Sequence, residues 1–61
     1  MREVGDKVKF VAIEAEYLNY RNYIGQVGHI TEVIEDVPYP YRVWLESDFE
    51  VLLSEEEVET A

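Results

Sequence analysis

The sequence predicts an all-β chain, a small barrel built from five short strands. Three observations carry that expectation. Apolar and polar residues alternate in short runs, as half-buried strands require. Those runs are separated by glycine, proline and Ser-Asp turn signals. At 61 residues without a cysteine, the chain is expected to form one domain over 1–61. It has no disulfide to staple it and would bury only about 60% of its unfolded surface, so its core should be small.

The first strand lies in residues 4–13. A Gly5-Asp6 turn signal is followed by period-two alternation, with Val8, Phe10 and Ala12 pointing inward and Lys7, Lys9 and Val11 outward. The two lysines make a small basic spot, expected to meet the chain's own carboxylates. Residues 14–24 are ambiguous. Tyr17, Tyr20 and Tyr23 recur every third residue, which suits one face of a helix, yet Asn19 and Asn22 are poor helix formers and no start signal precedes them. A long first loop, with or without one helical or 3₁₀ turn, is the favoured reading.

The central stretch, residues 25–34, carries two glycines and a β-branched strand. Gly25 and Gly28 supply backbone freedom where the chain turns tightly or passes close to another strand. Ile30 and Val33 are three apart, which breaks alternation, and a β-bulge near Thr31-Glu32 would restore both to one core. His29 falls on the outer face. Two prolines and two acids at 35–40 make a turn. Residues 41–46 are the clearest strand, with Tyr41, Val43 and Leu45 on one face and Arg42, Trp44 and Glu46 on the other. Ser47-Asp48 turns the chain into residues 49–53. Ser54-Glu55-Glu56-Glu57 is a capping box for a single 3₁₀ or α turn, and Val58-Glu59 closes the sheet as a last short strand.

Taken together, Val4-Gly5-Asp6-Lys7-Val8, the Gly25-Gln26-Val27-Gly28-His29-Ile30 centre, Tyr41-Arg42-Val43-Trp44-Leu45 and the Ser54-Glu55-Glu56-Glu57-Val58-Glu59 ending resemble the SH3-like barrel superfamily. The likeness extends to small bacterial and phage SH3-like proteins and to the barrel of ferredoxin-thioredoxin reductase variable chains. It covers nearly the whole chain apart from residues 14–24. What it implies is a five-stranded SH3-like barrel with a long first loop and a 3₁₀ turn before the last strand. Barrels of this kind bind very different partners, so fold alone does not specify function. The acidic-aromatic first loop and tandem tryptophan of proline-rich peptide binders are missing from this sequence, as is the basic surface of RNA-binding relatives.

Charge narrows the partners. Fourteen acids against five bases leave a net charge of −9, which opposes binding to nucleic-acid backbone and to anionic lipid. A protein partner is expected, and a basic one where charge steers the encounter. No apolar run approaches a membrane span and no secretory h-region opens the chain, so a cytoplasmic protein, monomeric or weakly homodimeric, is the simple expectation.

Chemistry finds little footing. One histidine, no cysteine and two serines already placed in a turn and a cap leave no activated nucleophile. The carboxylate pairs Glu35-Asp36 and Asp48-Glu50 match no calcium loop. Neither a catalytic residue, a metal site nor a cofactor is expected. Two sets of candidates remain. Tyr17, Tyr20, Tyr23, Tyr39 and Trp44 are either interface anchors or a lid over the barrel ends, with Trp44 the foremost because alternation turns it outward. Glu46, Asp48, Glu50, Glu55, Glu56 and Glu57 form an acidic surface, in a tail that holds seven acids and no base from Glu46 onward. The first set predicts a non-catalytic interaction module or accessory subunit. The second predicts an acidic inhibitor or nucleic-acid mimic.

Overall fold

The sheet turns on its second strand. In the computed structural model, which describes residues 1–12 and 21–61, β1 (Lys7–Phe10), β2 (Val27–Val33), β3 (Tyr41–Leu45), β4 (Glu50–Leu53) and β5 (Val58–Thr60) form one antiparallel sheet. Its order is β4-β3-β2-β1-β5, curled into a half-barrel. β2 is the longest strand. It pairs with β1 through Val27, Gly28 and His29, and with β3 from Gly28 to Val33.

That double use demands a bend, and the bend is a bulge. The β2–β3 register shifts between Ile30 and Glu32, where one extra residue steepens the local twist. Thr31 at the shift donates its hydroxyl to the Arg42 carbonyl at 3.2 Å. The expected bulge is present, and it brings Ile30 fully and Val33 partly into the core.

Alternation decides the faces. Val8 and Phe10 on β1, Ile30 on β2, Tyr41, Val43 and Leu45 on β3, Val51 and Leu53 on β4 and Val58 on β5 are buried. Each such side chain contributes about 1.5–3 kcal/mol of burial. One expectation fails: Ala12 is exposed instead of inward. β1 ends at Phe10; one further bond beside β5, from the Val11 amide to the Glu57 carbonyl at 2.9 Å, follows it before Ala12.

The turns follow their residue types. Gly25 and Gly5 hold φ +97° and +94°, a region that other residues rarely enter. At the β3–β4 hairpin the Asp48 amide donates to the Leu45 carbonyl at 3.0 Å and the Leu45 amide to the Phe49 carbonyl at 2.8 Å. With Asp48 at φ 63°, this is a three-residue loop, a type I turn followed by a left-handed residue. A 3₁₀ turn spans Arg21–Tyr23 and a second spans Glu55–Glu57. The first agrees with the helical turn allowed for residues 14–24; residues 14–20 of that segment, with Tyr17 and Tyr20, lie outside the described residues. Among the described residues no helix is long and apolar enough to cross a membrane.

Candidate functional site

An open cleft of about 640 Å³ lies on the outer face of the sheet. Register builds it. Lys7 on β1 faces His29 on β2, and His29 faces Trp44 on β3, so three outward side chains stand in a row across three strands. Trp44 is 38% exposed, as alternation predicts. Gly28 and Val27 complete the β2 wall, and Gly5 closes the end beside the N-terminal turn.

The hairpin loop supplies the other rim. Glu46 and Asp48 line the cleft with Leu45. The loop is tied down: the Glu46 amide donates to the Val27 carbonyl at 2.9 Å, and the Ser47 hydroxyl donates to Gln26 Oε1 at 2.7 Å. Trp44 from the aromatic set and Glu46 and Asp48 from the acidic set therefore meet at one place. Sequence reasoning did not join them, and it left Lys7 and His29 out of the site. Parity alone put Lys7, His29, Trp44 and Glu46 on the outer face, but which neighbours stand side by side depends on register across the bulge.

The other candidates separate. Tyr23 stacks on Phe49 with ring centroids 4.3 Å apart and planes 5° from parallel, and both pack against the core. Tyr23 is a lid residue in this arrangement. Tyr39 is half-buried in the proline turn. Glu50 lies opposite Trp44 on β4 but turns toward Arg42, whose guanidinium sits 3.8 Å from Glu50 and 3.1 Å from Glu32. Glu56 is exposed. Glu57 is a correction: it is 1% exposed, not part of an acidic surface. Its carboxylate accepts the Ser54 amide at 2.7 Å, closing the capping box that the same residues predicted. A side chain that satisfies a buried amide is held inward.

Glu55 belongs to a second polar cluster, at the end of the barrel. Its Oε1 accepts the Tyr41 hydroxyl at 2.7 Å and its Oε2 accepts Arg2 Nε at 3.0 Å. Arg2 also donates from Nη1 to Thr60 Oγ1 at 3.0 Å, and its amide donates to the Tyr41 hydroxyl at 3.2 Å. The Tyr41 hydrogen bond, helped by Arg2, holds the Glu55 carboxyl below its ordinary value. Burial pushes the Tyr41 phenol up, with the Glu55 charge adding to the rise. This cluster pins the N-terminal segment to the 3₁₀ turn and β5.

Ser47 directs its hydroxyl to Gln26, and Ser54 is buried in the cap. Among the described residues no group of three or more histidine, aspartate or glutamate side chains is placed to hold a metal ion. No family model, curated protein or solved structure matches this chain.

Proposed function

We propose that this chain is a non-catalytic protein-interaction module, an SH3-like barrel that docks a protein partner in the cleft lined by Trp44. One observation carries the reading: the sole tryptophan of the chain stands 38% exposed on a regular strand, lining an open cleft. A large aromatic held rigid by strand pairing loses little conformational freedom on binding, which is why such residues dominate interfaces. The order β4-β3-β2-β1-β5, with a 3₁₀ turn before the last strand, supports the SH3-like part of the proposal.

The second reading, an acidic inhibitor or nucleic-acid mimic, draws on the tail of acids and the net charge of −9. Pairing weakens it. Glu55 and Glu50 lie beside arginines of this chain, and Glu57 is buried. A capture experiment from the source cell separates the two, comparing wild type with Trp44→Ala and with a Glu35→Gln/Glu56→Gln/Glu59→Gln variant built only from exposed acids. Module docking requires that Trp44→Ala lose the partner while the glutamine variant keeps it. Loss confined to the glutamine variant, with collapse at high salt, would reject docking at Trp44 in favour of mimicry.

A further inference from the structure

Charge at the Trp44 cleft is unevenly compensated. Arg2 takes Glu55, and Arg42 takes Glu32 and Glu50. Glu46 and Asp48 make no ion pair among the described residues, although both line the cleft. Their backbones are fixed by the hairpin, so the loop itself does not have to be ordered on binding and only the two side chains do. Lys7 lines the same cleft, but it stands on β1 with the whole of β2 between it and Trp44. Two strand spacings of about 4.8 Å separate those backbones. The cleft is thus polarised, with anionic charge beside the indole and cationic charge at the far wall.

Resting on the reading of this cleft as a docking site, we propose that its occupant is an arginine side chain presented by an extended segment of the partner. The guanidinium lies over the face of Trp44 and donates to the Glu46 and Asp48 carboxylates. Three features favour arginine. A planar cation stacks on indole and is attracted by its π-face. It offers forked donors to two carboxylates at once, which a lysine ammonium on its flexible stem does less well. The cleft volume, about 640 Å³, falls in the range of about 300–1,000 Å³ typical of ligand sites, leaving space for the flanking backbone. The excess of acids over the whole chain draws such a partner in.

Because Trp44 is the chain's one tryptophan, its fluorescence reports on the cleft directly. The probes are three capped peptides, Gly-Gly-X-Gly-Gly, with X arginine, lysine or citrulline, titrated at low salt. Arginine is expected to change the Trp44 emission saturably, lysine more weakly, and citrulline, which has the shape without the charge, not at all. Glu46→Gln with Asp48→Asn should weaken the arginine peptide by about fivefold or more, as expected for two lost charge contacts. Asparagine tolerates the left-handed backbone at position 48, and a urea melt checks that the variant keeps its fold. Equal response to lysine, a response to citrulline, or no effect of the double variant overturns the arginine assignment. Absence of any saturable change overturns it too. If Trp44→Ala still abolishes capture of the protein partner, docking at the cleft stands and only its occupant was misassigned.

Discussion

A Cβ added to Gly28 would lie 2.3 Å from the carbonyl oxygen of Trp44. The two residues sit on adjacent strands, where Gly28 faces Leu45 and His29 faces Trp44, and β2 crosses β3 too closely there for any side chain. The glycine is a steric requirement of the bend in β2.

Gly28→Ala is therefore expected to destabilise the fold by about 2–3 kcal/mol, because the nearest atoms are backbone and can yield only by opening the strands. Urea unfolding of the variant beside Gly5→Ala separates packing from backbone strain. A methyl added at Gly5 would meet nothing within 4 Å and is disfavoured only by the φ of +94°, so the loss there should be smaller, about 1 kcal/mol. Equal losses at the two sites would contradict the close approach.

The Arg2–Glu55–Tyr41 cluster gives stability a defined pH dependence. The folded Glu55 carboxyl titrates below the ordinary 4.5. Its contribution is fully present above that pH and is lost as pH falls through the lowered value. The Tyr41 phenol titrates above the ordinary 10.0, so its contribution is present below pH 10 and lost as pH rises through the raised value. Thermal melts of wild type and Glu55→Gln should differ at neutral pH and converge in acid below 4.5. A gap that stays constant into acid would rule out the carboxylate as the cause. Glu55 is half in solvent, so the difference at neutral pH should stay within about 1 kcal/mol.

Tyr23 and Trp44 should respond oppositely to truncation. Tyr23→Ala removes a ring stacked on Phe49 and packed against the core, with an expected loss of about 2–3 kcal/mol. Trp44→Ala removes a ring that faces the cleft and should cost under about 1 kcal/mol while abolishing partner capture. Denaturant melts of both variants decide between lid and anchor. A large loss for Trp44→Ala with none for Tyr23→Ala would reverse the assignment.

The hairpin, the capping box and the bulge were legible in short stretches of sequence because each is a local event. Ser54 and Glu57 are three residues apart and find one another within a single turn; Ile30 and Val33 break a two-residue period and announce the extra residue. Ala12 misled because strand continuity is not local. β1 keeps its place only as far as its partner strand reaches: the last bond beside β5 joins Val11 to Glu57, forty-six positions on, and no pattern near residue 11 records where that partner stops.

What the sequence determined by itself is the facing of the side chains. Period two follows from the geometry of an extended backbone, so Tyr41, Val43 and Leu45 go inward and Trp44 outward wherever the strand is placed. Tertiary structure alone decided neighbours. It set Lys7, His29 and Trp44 in one row, brought Glu46 and Asp48 to their rim and carried Arg2 across to Glu55. Register between strands depends on the bulge, on the close approach at Gly28 and on turns that join distant segments, and those are set only when the whole sheet closes on one core.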